Sequence, residues 1–148
     1  MSVGWEDFPV GRRIVTPAVT ITETHVVQFA TLTGDWYPLH MNEQAAAAGP
    51  FGGRIAHGPL TFAMAVGLMY QSQIYGDGII AWLGADKLRA TEPVRFGDTV
   101  HVEASVLISR QSKDPSRGVV TLAYVVVNQH SKPVFSCEFS LLMKSARE

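Results

Sequence analysis

Residues 58–73 read Gly58-Pro59-Leu60-Thr61-Phe62-Ala63-Met64-Ala65-Val66-Gly67-Leu68-Met69-Tyr70-Gln71-Ser72-Gln73. Pro59 suits the first turn of a helix, where a missing N–H costs nothing and φ is already helical. From Leu60 to Tyr70 nearly every position is apolar. A surface helix would show a polar face at 3.6-residue spacing; here there is none, so the pattern predicts a helix buried on most sides. The run is too short and too well punctuated to cross a bilayer.

What covers that helix follows it in the chain. Residues 99–109 alternate, with Val100, Val102, Ala104, Val106 and Ile108 against Thr99, His101, Glu103 and Ser105. Residues 118–128 are apolar on both faces, as in a central strand. Residues 133–143 put Phe135, Cys137, Phe139, Leu141 and Met143 on one face. Phe96-Gly97-Asp98, Asp114-Pro115-Ser116 and His130-Ser131-Lys132 are turn-like links. Residues 79–92 are mixed. An antiparallel sheet wrapped round one long helix is the expectation, an α+β fold.

Upstream, residues 1–21 read as an irregular lead-in ending in the strand-like Ala18-Val19-Thr20-Ile21. Thr22 can cap a helix over 23–33, with Val26, Phe29, Ala30 and Thr33 as its apolar stripe and Gly34 as its stop. Asp35 to Met41 reads as a loop stiffened by Pro38, and Asn42 can cap a short helix through Ala48. Gly49-Pro50 and Gly52-Gly53 then break the chain. No repeat, low-complexity stretch or linker divides it, so residues 1–148 are expected to form a single domain.

Composition narrows the function classes. A net charge of −1 gives no field to recruit nucleic acid. Only 17% of residues are charged, a lean surface that predicts burial against another subunit. Cys137, the single cysteine, falls at an apolar strand position and reads as a small core residue. The first nine residues carry Glu6 and Asp7 and no apolar run, so no signal peptide, no membrane association and a cytoplasmic location are expected.

The chemistry-bearing residues cluster ahead of the buried helix. Asp35 and His40 are five positions apart on one loop. A carboxylate and an imidazole held close can share a water, one group taking a proton while the other delivers one nearby. Hydration of a double bond conjugated to a thioester needs that combination, with hydrogen-bond donors for the developing enolate oxygen. The helix start at His57-Gly58-Pro59 has unpaired N–H groups and a favourable dipole. On spacing alone, an Asp and a His five apart in a loop are more often a turn residue and a partly buried, satisfied histidine.

The stretch Thr33-Gly34-Asp35-Trp36-Tyr37-Pro38-Leu39-His40, followed by Phe51-Gly52-Gly53-Arg54-Ile55-Ala56-His57-Gly58, resembles the signature of MaoC-like dehydratases and R-specific enoyl-CoA hydratases. Pro93-Val94-Arg95-Phe96-Gly97-Asp98 is similar to the family's strand-opening turn. The likeness runs from about Thr22 to Met143. It implies a hotdog fold, a homodimer or dimer of dimers with sites at the subunit interface, an acyl-CoA thioester substrate and no cofactor. The catalytic pair falls on Asp35 and His40, and the oxyanion-binding amide on Gly58. Two positions depart from the family pattern. Tyr37 stands where the family has Asn, and Val66 where some R-specific hydratases have a positioning serine.

Other candidates divide between site and scaffold. His57 is a structural histidine across the helix start, or third member of a metal set with Asp35 and His40; no second motif supports a metal. Trp36 and Tyr37 line an acyl tunnel or pack on their loop, and Trp82 covers the site or packs in the core. His25, His101 and His130 read as solvent-facing. Arg12 and Arg13, or Arg110 and Lys113, meet coenzyme A phosphates or are plain surface pairs. Two rival activities share the expected fold: an acyl-CoA thioesterase, and a non-catalytic acyl-CoA-binding subunit.

Overall fold

The computed structural model describes residues 2–147. After a 3-10 turn at Trp5–Asp7 come β1 (Arg13–Val15), β2 (Val19–Thr20), α1 (Glu23–Thr33), α2 (Pro38–Met41), α3 (Glu43–Ala47) and α4 (Gly58–Gln71). Four long strands complete the chain: β3 (Ile79–Ala90), β4 (Thr99–Gln111), β5 (Arg117–Val127) and β6 (Pro133–Lys144). The antiparallel sheet runs β1-β4-β5-β6-β3, with β2 also pairing on β4. Consecutive hairpins give β4-β5-β6, and β5 is central, as its two apolar faces require.

The inward residues of the strands form the core. Val100, Val102, Ala104 and Val106 of β4 meet Val120, Leu122, Tyr124 and Val126 of β5 and Phe135, Cys137, Phe139, Leu141 and Met143 of β6. Onto this face α4 lays Leu60, Thr61, Ala65, Leu68 and Met69. Burial holds the Cys137 thiol up to about 11, as suits a core residue. A buried hydroxyl pair, Tyr75 and Tyr124 at 2.8 Å, closes the far end.

Several sequence expectations change. The mixed stretch is a full strand, β3, on the sheet's edge; three register shifts against β6 and a positive φ at Lys87 hid its alternation. The lead-in contains β1. The loop before Asn42 contains the helical turn α2, with Pro38 in its first turn. Thr33 is exposed rather than part of the α1 stripe; its hydroxyl turns back to the Phe29 carbonyl at 2.7 Å. Ile108 is 45% exposed because a β-bulge between Val106 and Ile108 flips the strand's faces. Finally, α4 is covered on one side only: Pro59, Ala63, Gly67 and Tyr70 are exposed. One sheet has one concave face, and among the described residues the other side of the helix has no second layer. Among the described residues no helix is long and apolar enough to cross a membrane.

Candidate active site

Asp35 is placed by the end of α1. Gly34 takes the left-handed conformation at φ 80°, which costs a glycine nothing, and its N–H closes on the Ala30 carbonyl at 2.8 Å. The chain then turns sharply. Asp35 N–H donates to Thr33 Oγ1 at 3.2 Å, and Asp35 Oδ1 accepts the Tyr37 N–H at 3.3 Å. The Asp35 carbonyl accepts from His57 Nε2–H at 3.0 Å, so the start of α4 holds the carboxylate's loop.

His40 is held from the other side. Its Nδ1–H donates to the Ile55 carbonyl at 2.7 Å, which leaves Nε2 with the lone pair in the neutral ring. Ile55 N–H returns to the Leu39 carbonyl at 3.3 Å, and Ala56 N–H donates to the Val94 carbonyl at 2.7 Å. The segment before α4 is thus tied both to α2 and to the sheet's approach.

The rings of His40 and His57 stack at 3.9 Å between centroids, with Phe29 against His57 at 4.9 Å. Donor atoms of Asp35, His40 and His57 all lie within 4.8 Å of one another. His57 is fully buried, and its Nδ1 has no hydrogen-bond partner among the described residues. With the other nitrogen of each ring on a carbonyl, His40 Nε2 and His57 Nδ1 are the atoms this set could offer a divalent cation.

Below His40 opens a cavity of about 340 Å³ whose walls include Leu39, His40, Ile55, Gly58, Thr61 and Phe135. A Cβ at Gly58 would stand 3.8 Å from that of Ala90, also on this wall, an ordinary contact distance. Gly58 N–H is the first amide of α4, at the positive end of its dipole.

Of the residues singled out in the sequence, Asp35, His40, His57 and Gly58 come together. Trp36 and Tyr37 do not line the cavity; they are 55% and 65% exposed, because the turn after Asp35 points them outward. Val66 instead faces a separate apolar depression with Phe62, Ala63, Trp82 and Phe139. Trp82 is 57% exposed and stacks on Phe139 at 5.8 Å. His25 caps α1 rather than simply facing water, its Nδ1 accepting the Thr22 N–H at 3.0 Å. Arg12 lies over the Phe8 ring and donates to the Asp7 carbonyl.

Sequence reasoning passed over Arg54. Its guanidinium bonds Glu23 of α1 and Glu43 of α3 and rests on the Phe96 ring at 4.9 Å. Those carboxylates, Glu43 foremost, raise its pKa above the usual arginine value. A lone arginine after two glycines carries no spacing signal, since its partners lie 31 and 11 residues away.

The MaoC like domain model matches residues 7–128. The 3-hydroxyacyl-thioester dehydratase Z of Mycobacterium tuberculosis is 39% identical over 90 residues, 60% of this chain and 60% of that protein. The chain spans 29% of the length of another curated relative. The crystal structure of a MaoC-like dehydratase from Rhodospirillum rubrum superposes with a TM-score of 0.88 at 30% identity, covering 99% of this chain and all of that one. A Mycobacterium tuberculosis protein described as a double hotdog fold superposes at 0.82 with 19% identity, over 99% of this chain and 46% of that one, a likeness of fold alone.

Proposed function

The chain belongs to the family of MaoC-like hydratase/dehydratase domains, and on that premise we propose that it reversibly hydrates a 2-enoyl thioester carried on coenzyme A. The observation that carries the reading is the meeting of Asp35, His40 and the start of α4, with His40 and Gly58 on the wall of a largely apolar cavity.

Asp35 acts as base on a water that His40 Nε2 holds by accepting one of its protons in a hydrogen bond. The water oxygen bonds to C3 as its proton passes to Asp35. The C2=C3 electron pair moves toward the thioester, and the oxygen charge is met by Gly58 N–H. The proton taken up by the Asp35/His40 pair is then delivered to C2, returning both groups to their starting states. Net addition is one water, and the thioester bond is untouched. By likeness to the R-specific hydratases, the hydroxyl at C3 is R.

The active unit is a homodimer, or a dimer of such dimers. Edge strand β3 has a neighbour on one side only and exposes Ile79, Ile80, Trp82 and Leu83. Beside it lies the apolar depression of about 350 Å³ on the open side of α4. A second copy pairing here would cover that side of the helix.

The test is incubation with crotonyl-CoA in ¹⁸O-labelled water. The reading expects label in the 3-hydroxyl of 3-hydroxybutyryl-CoA. Label in a free carboxylate, with coenzyme A released, would instead identify a thioesterase.

A further inference from the structure

The proposed chemistry leaves one donor short. An oxyanion formed from a thioester is ordinarily met by two hydrogen bonds, and Gly58 N–H is one. Pro59 has no N–H, and the Thr61 N–H is already given to the His57 carbonyl at 3.2 Å. Of the first turn of α4, Gly58 and Thr61 are the residues on the cavity wall; they stand three apart and therefore share a face.

Among the described residues three threonines are buried. Thr16 donates to the Pro17 carbonyl at 2.8 Å and accepts the Val102 N–H at 2.9 Å. Thr121 pairs with Ser140 at 2.8 Å. Thr61, 5% exposed, has no partner for its hydroxyl among the described residues. The helical threonines Thr31 and Thr33 send theirs back to the carbonyl four residues earlier. At Thr61 that carbonyl belongs to His57; it receives the Thr61 backbone N–H at 3.2 Å and, among the described residues, no bond from the Thr61 hydroxyl. The fully enclosed side-chain atoms without a hydrogen-bond partner among the described residues are Trp5 Nε1, His57 Nδ1 and Arg117 Nε, so the Thr61 hydroxyl is not sealed off, and on the cavity wall it is open to a ligand.

We propose that Thr61 donates the second hydrogen bond to the thioester oxygen, beside Gly58 N–H, as a catalytic residue of this chain. This rests on the hydratase reading above. The hydroxyl keeps its proton throughout; its role is to meet charge that grows on the oxygen as water adds to C3. Position 66, where some relatives carry a hydroxyl, is valine here and faces the separate depression, so the Thr61 hydroxyl is not a copy of that one.

The experiment compares wild type, Thr61→Val, Thr61→Ser and Asp35→Asn on enoyl-CoA substrates, with kcat and KM separated and melting temperature recorded. Thr61→Val is expected to lower kcat on the order of 100-fold with a smaller change in KM, as for loss of one oxyanion donor. Thr61→Ser is expected to stay within a few-fold of wild type. Melting should be unchanged, since no bond within the chain is lost. If the valine variant fails to fold, Thr61→Ala against Thr61→Ser gives the same comparison. A hydroxyl-free variant within about 2-fold of wild type, while Asp35→Asn is inactive, overturns this inference and leaves the hydratase reading standing. A wild-type protein that hydrates no enoyl thioester overturns both.

Discussion

His40 and His57 each give one ring N–H to a backbone carbonyl, yet they do different work. His57 is sealed in, so its bond to the Asp35 carbonyl fixes a loop. His40 keeps Nε2 on the cavity side, where a water can be held. Asp35→Asn preserves an acceptor for the Tyr37 N–H but removes the proposed base; His40→Ala removes the proposed anchor of the water. Each is expected to lower turnover by about 10²–10⁴-fold, with circular dichroism and melting unchanged. Near-normal turnover in either would remove the residue from the mechanism. These residues were legible because two spaced motifs carry them. Tyr37 and Val66 were legible as departures and Trp36 as a lining candidate, but none of them as positions: a left-handed Gly34 and a helical turn at Pro38 decide where Trp36 and Tyr37 point, and neither is written in the spacing.

At the scale of elements, α1, α3 and the segment leading into α4 are joined by the Arg54 guanidinium. Lysine cannot bond two carboxylates in a fork or lie flat on Phe96. Both glutamates are more than half exposed at their side chains, so screening limits each pair. Arg54→Lys is therefore expected to cost about 1 kcal/mol in urea unfolding and to raise KM by loosening the Ile55 carbonyl that orients His40. An unchanged KM would show that His40 is held without the clamp. The sheet's elements were legible wherever alternation was unbroken, as in β4 up to Val106 and in β6. They were illegible where bulges interrupt it, beyond Val106 and throughout β3, because one inserted residue swaps the faces. The all-apolar α4 was read as covered on most sides. Its sequence is consistent with that burial, but this chain supplies cover for one side.

For the whole molecule, that uncovered side is the argument for a second copy. Trp82→Glu on the exposed edge is expected to convert the proposed dimer to monomer in sedimentation and to abolish turnover in the same step. Retained dimer would place the interface elsewhere. The two chain ends are joined by Glu6, whose carboxylate accepts from Ser145 Oγ and from the Ala146 N–H at 3.0 Å. Burial pushes its pKa up, but those bonds outweigh it and hold the carboxyl below its usual 4.5. A depressed folded pKa means the ionised form stabilises the fold above pH 4.5, and the contribution is lost as pH falls through the folded value. The melting difference between wild type and Glu6→Gln should thus be present at pH 7 and vanish on acidification; a pH-independent difference would exclude the charge as its source. The central claim, addition of water across an enoyl thioester, is tested most directly by following the conjugated absorbance of crotonyl-CoA with a thiol reagent in a parallel cuvette. The account predicts loss of absorbance with wild type, none with Asp35→Asn and no thiol in either. Thiol release, or absorbance loss that survives Asp35→Asn, would contradict it.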